Sequence, residues 1–139
     1  MTKPKLRTYI TYKNTFQVEE YTKYCKSRRK RSLLAQFRMG ILPIAIETGR
    51  FKNESIENRV CKVCTSNVVE DEKHLLCYCE LYRDIRHTMY SNITLRNIDF
   101  PNLNGDEKFI YLMNNEWKEV ANFLDEAWYL RTNKLYLYK

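Results

Sequence analysis

Chain breakers are scarce. Three glycines and three prolines in 139 residues leave little room for hairpins or flexible linkers. In a chain rich in Leu, Lys, Arg and Glu, they predict a mainly α fold: a small helical domain with short joints and little or no sheet. Long apolar runs are also missing, since nothing approaches the roughly eighteen residues of a membrane span. The segment after Met1, TKPKLRTY, lacks the apolar stretch of a secretory signal. The thiols are therefore expected in a reducing, intracellular compartment, nucleus or cytoplasm, with no membrane among the partners. Hydrophobic residues still make up 44% and aromatics 14%, enough for a core and too much for a disordered polyelectrolyte.

Acids are nearly missing from the first part of the chain. Through Arg38 there are eleven Lys or Arg against two acids, a net of +9, and from Met39 onward thirteen against fifteen, a net of −2. The overall +7 is thus an N-terminal property. A local excess of this kind attracts polyanions, of which nucleic acid is the usual one.

What is present in excess is cysteine over one short stretch. Residues 61 to 79 read CKVCTSNVVEDEKHLLCYC, holding four of the five cysteines and one of the two histidines. Cys61 and Cys64 form a C-x2-C knuckle, a spacing that turns two thiolates toward one point while nearby backbone N–H groups stabilise their charge. With His74 and Cys79 the pattern becomes C-x2-C-x9-H-x4-C, the ligand set and reach of a structural Cys3His zinc site. Two thiols compete for the fourth position. On one regular helix His74 and Cys77 share a face at i,i+3, whereas His74 and Cys79 diverge by about 140°, which favours Cys77. The commoner ligand gap, with a tight or interrupted turn after His74, favours Cys79. A disulfide framework is set aside for want of a secretory signal, and Cys25 suits a buried core position. Four protein ligands close the coordination sphere and leave no place for a reactive water, so zinc hydrolase chemistry is not expected.

The chain divides into four segments. Residues 1–25 form an aromatic and basic helical segment, with Tyr9, Tyr12, Phe16, Tyr21 and Tyr24 at near-helical spacing and helix expected from Gln17 to Cys25. Residues 26–52 carry a basic amphipathic helix and a connector. Its cations Lys26, Arg28, Arg29, Lys30, Arg31 and Arg38 are the candidate phosphate contacts, and the arginines offer planar forks suited to phosphate oxygens. Leu33, Leu34, Phe37 and Ile41 supply the apolar face, and Gly40 the stop. IAIETGRF, residues 44–51, is expected to be extended, with a local Glu47–Arg50 pair. Residues 53–90 make the zinc module, closing on a helix with Leu81, Ile85, Thr88 and Met89 on one side and Arg83 and Arg86 on another. His87 reads as an ordinary, partly exposed histidine. Residues 91–139 comprise a loop to Gly105, a short helix capped by Asp106, and a long helix whose stripe runs Trp117, Val120, Ala121, Leu124, Ala127, Trp128 and Leu135.

The run RRKRSLLAQFRMGILPIAIETGRF, followed by RVCKVCTSNVVEDEKHLLCYCELYRDIR, resembles the zinc-binding segment that follows the polymerase domain in non-LTR (LINE-type) retrotransposon reverse transcriptases. The resemblance covers about residues 17 to 90 and includes the FRMGILPIAIETGRF lead, the C-x2-C knuckle, the acidic VEDEKH stretch and the CELYRDIR close. Met39 departs from the small or cysteine residue common there. In that family the closing cysteine precedes a Leu-Tyr pair, which here is Leu81 and Tyr82, and this ranks Cys79 above Cys77. The resemblance implies a zinc-binding module for RNA or DNA, with an upstream polymerase domain as a further partner. It does not imply catalysis, because polymerase chemistry needs an aspartate pair holding two metal ions and no adjacent Asp-Asp occurs in the chain. No small-molecule substrate is expected. The alternative is a zinc-stabilised protein-interaction adaptor presenting the Trp117–Leu135 face.

Overall fold

The computed structural model describes residues 20–137, and the expectations placed on Tyr9, Tyr12 and Phe16 lie outside them. A short helix α1, Glu20–Tyr24, buries Tyr21. Helix α2, Arg28–Met39, starts where the Ser27 hydroxyl accepts the Lys30 N–H at 3.2 Å, a side-chain cap for an otherwise orphaned donor. It stops at Gly40, whose φ of 74° lets Gly40 N–H reach Phe37 O and Ile41 N–H reach Gln36 O, the left-handed stop that glycine makes cheap. Leu33, Leu34 and Phe37 are buried as their spacing predicts, but Ile41 is exposed. The left-handed turn breaks the helical register, and Leu42 takes the core position instead.

Residues 45–51, expected to be extended, are helical: α3 is Ala45–Phe51. The reason is tertiary. Glu70 reaches across to accept the Ala45 N–H on its carboxylate at 2.7 Å and the Ile46 N–H on its carbonyl at 3.1 Å. These contacts satisfy donors that a short helix leaves open. Gly49 is needed because a Cβ there would sit 2.4 Å from Cγ of Arg59. The local Glu47–Arg50 pair is present at 2.8 Å.

A 3-10 turn, Ile56–Asn58, leads into the cysteine stretch. Helix α4, Arg83–Arg96, extends into the expected loop, and the joint beyond it contains a second such turn at Phe100–Asn102. Helix α5, Gly105–Asn115, is capped by Asn104 and not by Asp106. Asn104 and Glu107 exchange side-chain and backbone hydrogen bonds at 2.8 and 2.9 Å, a capping box that places Asp106 inside the first turn. Helix α6, Trp117–Leu137, packs chiefly against α2 and α4.

The fold is mainly helical, as composition predicts. Pairing outside helices is limited, among the described residues, to one isolated antiparallel bridge between Val60 and Val69. Buried residues from Tyr21 to Ala127 belong to one cluster that includes Leu34, Ile93, Phe109, Leu124 and, from the cysteine stretch, Leu75 and Leu76. The described parts of all four sequence segments therefore share one core. No helix among the described residues is long and apolar enough to cross a membrane.

Candidate metal centre

The first two ligands sit on a loop pinched shut at its base. Cys61 N–H donates to Val68 O at 2.8 Å and Glu70 N–H to Arg59 O at 3.0 Å, flanking the Val60–Val69 bridge. Asn67 turns the chain with a φ of 56°, a conformation asparagine tolerates better than most residues. The other two ligands sit at either end of a single widened turn. His74–Tyr78 is π-helical, and the Cys79 N–H bonds back five residues to His74 O at 2.7 Å. An i→i−5 bond brings the fifth residue, not the third or fourth, back beside the first. Cys79 then leaves the turn with extended backbone.

The competition for the fourth position is resolved by that turn. Cys61, Cys64, His74 and Cys79 offer ligand atoms that all lie within 4.8 Å of one another. Cys77 is not in that group and instead meets Tyr90, with burial pushing its thiol pKa up. A tetrahedral zinc ion with bonds of about 2.3 Å to sulfur and 2.0 Å to nitrogen sets its sulfurs about 3.8 Å apart and sulfur to nitrogen about 3.5 Å apart. Cys61 Sγ and Cys79 Sγ are 3.9 Å apart, and Cys64 Sγ is 3.5 Å from His74 Nε2. The donor set fits a metal ion.

Comparisons with family models, curated proteins and solved structures find no match for this chain. The site therefore rests on its own geometry.

Its electrostatics point the same way. As bare groups, the thiols of Cys61 and Cys79 are in hydrogen-bond contact and shift in opposite directions. The contact with Cys61 lowers the Cys79 pKa, and the same contact, with burial, pushes Cys61 up to about 12. Burial acts to lower His74, but its hydrogen bonds to Cys61 and Cys64 outweigh this and the net shift is upward. Donors for thiolate charge are already in place: Val63 N–H on Cys61, Leu81 N–H on Cys79, and the Ser66 hydroxyl 2.9 Å from Cys64 Sγ. Each of the two backbone donors lies two residues beyond its sulfur, and the one on Cys61 is a nearby N–H of the kind anticipated for the knuckle.

Three buried charged residues hold this centre: Arg86, expected on the side of α4 away from its apolar face, and Glu70 and Arg131, for which the sequence suggests no such role. Arg86, 8% exposed, donates to the carbonyls of Leu75, Leu76 and Cys79 at 3.2, 2.8 and 2.9 Å, capping the acceptors that the widened turn leaves open. Glu70 and Arg131, 0% and 6% exposed, form a two-pronged ion pair. Burial acts to lower the Arg131 pKa, but the Glu70 carboxylate reverses the shift. A faint signal existed. Arg86 falls in register with Met89 and Ile93, and Arg131 with Leu124 and Ala127, so each interrupts an otherwise apolar stripe.

The six candidate phosphate contacts separate. Lys26 and Arg28 are exposed, and their side chains engage no described residue. Arg29 donates to Asp125 at 2.5 Å and Lys30 to Asn122 at 2.8 Å, both on α6, while Arg31 donates to Cys25 O at 3.0 Å. Arg38 is a correction. It is 3% exposed and donates to Met113 O, so it braces α2 against the end of α5 and does not face solvent. On α6, Val120, Ala121, Leu124 and Ala127 are each at most 2% exposed, and Phe123, absent from the expected stripe, is buried with them. His87 is exposed.

Proposed function

We propose that the chain is a zinc-binding module that binds RNA or DNA electrostatically, of the kind found C-terminal to the polymerase domain in LINE-type reverse transcriptases, and that it is not catalytic by itself. The observation that carries the metal part is the convergence of three sulfurs and one imidazole on a single point, with backbone donors on two of the sulfurs. Soft thiolates in a closed tetrahedral set favour zinc over the oxygen-seeking cations. Cys61, Cys64, His74 and Cys79 would hold the ion, which would act structurally by tying the Cys61 loop to the turn that begins α4. Four protein ligands leave it no open position for chemistry.

The nucleic-acid part is supported by charge placement. Lys26 and Arg28 stand exposed at the start of α2, and Arg29 follows with a side chain 60% exposed. The Arg29–Asp125 pair does not tie that cation up, because an ion pair this open to water is worth at most about 1 kcal/mol and a phosphate can displace it. The adaptor reading is the weaker of the two, since Val120, Ala121, Leu124 and Ala127, the middle of the stripe it would present, are buried in the chain's own core, and Trp117, Trp128 and Leu135 pack partly buried against it.

Fluorescence anisotropy with single- and double-stranded RNA and DNA tests the binding. Affinity should fall between about 50 mM and about 200 mM salt with a log–log slope of about −2 to −3, as two or three phosphate contacts require. Charge reversal at Lys26 and Arg28 should flatten that slope. Absence of binding at the lower salt, or a slope untouched by the reversal, rejects the nucleic-acid reading while leaving the metal reading standing.

A further inference from the structure

The Cys61 ligand is not supported by its own loop alone. Glu70 Oε2 lies 3.7 Å from Cys61 Sγ. The other oxygen of the same carboxylate accepts the Ala45 N–H at 2.7 Å, at the start of α3. Both oxygens are gripped from α6 by Arg131, whose second prong measures 2.9 Å. Neither partner is open to water, with side chains 0% and 7% exposed, and the guanidinium also lies over the Trp128 ring at 5.6 Å. Such an arrangement is expensive to bury unless every charge is met, and here each prong and each oxygen has a partner.

A carboxylate beside a metal-binding thiolate is electrostatically awkward by itself. Three thiolates and one divalent ion already carry a net negative charge, and a bare Glu70 would add another next to sulfur. Arg131 removes that penalty, and its planar fork fixes the direction in which Glu70 points. The carboxylate is thereby free to hold α3 by the Ala45 N–H, while the Glu70 backbone N–H holds the base of the cysteine loop on Arg59 O.

We infer that Glu70 and Arg131 are positioning residues of the metal centre, and that through them metal affinity depends on the docking of the C-terminal helix α6, some sixty residues further along the chain. Coupling is reciprocal, so a bound ion in turn stiffens the seating of α6, the helix that carries the Asp125 and Asn122 partners of Arg29 and Lys30. The inference rests on the metal-binding reading above, and its test separates the two.

The experiment is competition between the 139-residue chain and a chromophoric chelator for zinc, with cobalt(II) absorption reporting the ligand set. Wild type is compared with Arg131→Met, Arg131→Lys and Asp125→Asn. Residues that orient metal ligands typically change affinity about 10- to 100-fold when altered. We expect Arg131→Met to weaken zinc binding by that factor, Arg131→Lys to recover part of it because charge is kept and the fork is lost, and Asp125→Asn to bind within about twofold of wild type. Should Arg131→Met fail to fold, Arg131→Lys decides, since it too must bind measurably more weakly than wild type. Zinc affinity unchanged in Arg131→Lys, or in a folded Arg131→Met that merely melts earlier with and without metal, makes the pair a fold support only and overturns the inference. A wild-type chain without the cobalt bands of sulfur ligation would remove the metal reading itself.

Discussion

The cysteine stretch and the cationic start of α2 are the two places where this chain concentrates chemistry, and they acquire structure by different routes. Between Cys61 and Cys79 the outcome is mostly local. A knuckle, a pinched loop and one widened turn bring four ligand atoms within 4.8 Å of each other. In and just before α2 the sequence shows a set of positive charges with nothing to tell them apart, and partners distant in sequence sort them. Met113 takes Arg38 into the interior, Asp125 and Asn122 engage Arg29 and Lys30, and Lys26 and Arg28 are left to solvent. A ligand pattern therefore carries its geometry with it, whereas a charge run takes its meaning from whatever packs beside it.

The sharpest way to break that comparison is at the fourth ligand. Cys79→Ser should abolish stoichiometric metal binding and leave the chain largely unfolded by circular dichroism, because structural zinc contributes about 10 to 16 kcal/mol against a typical total stability of about 5 to 15. Cys77→Ser, only two residues away, should stay folded with its stability changed by less than about 1 kcal/mol. The reverse result would mean that the widened turn does not exist.

Next in size is the support of that turn. Arg86→Met removes the donor from three backbone carbonyls and should cost about 2 to 3 kcal/mol in urea denaturation. Arg83→Met, one turn earlier on the exposed side with a side chain 79% exposed, should cost no more than about 0.5 kcal/mol. Equal effects would place Arg86 on the surface.

Acid should separate the two regions further. Cys61, pushed up to about 12, and His74, raised above its ordinary value, must both give up protons before they can ligate. Groups with raised pKa hold their protons to higher pH, so apparent zinc affinity should strengthen as pH rises and weaken as it falls over the range below the raised Cys61 value. Chelator competition across that range measures it. Nucleic-acid binding that does not depend on the ion should stay flat over the same range.

The smallest effect is expected at the α2–α6 seam. Asp125→Asn should change stability by less than about 1 kcal/mol while releasing Arg29, and anisotropy should show nucleic-acid affinity unchanged or modestly tighter. A large loss of stability would show that the pair is structural after all.

The helices, the Gly40 stop and three members of the cluster, Cys61, Cys64 and His74, could be read from the sequence because each rests on short-range rules: periodicity, left-handed glycine, ligand spacing. Helix α3 could not be, since the donor groups that would otherwise fray it are met by Glu70, twenty-five residues away from Ala45. Nor could the choice between Cys77 and Cys79 be made on regular-helix geometry, which points to the wrong thiol because the turn is wider than α. From the sequence Arg38 and Arg86 are expected to face outward, and Arg131 carries no expectation, for one common reason. A charged residue falling on an apolar stripe looks like a flaw in the stripe until its carbonyl or carboxylate partner is seen. That signature, a lone arginine in core register, is the feature worth seeking in similar sequences.

Native mass spectrometry of the reduced, metal-replete protein, followed by a chelator titration, tests the centre most directly. One zinc per chain should be present, and its removal should be accompanied by collapse of the folded charge-state distribution. A chain that retains a compact distribution with no metal bound would contradict the account.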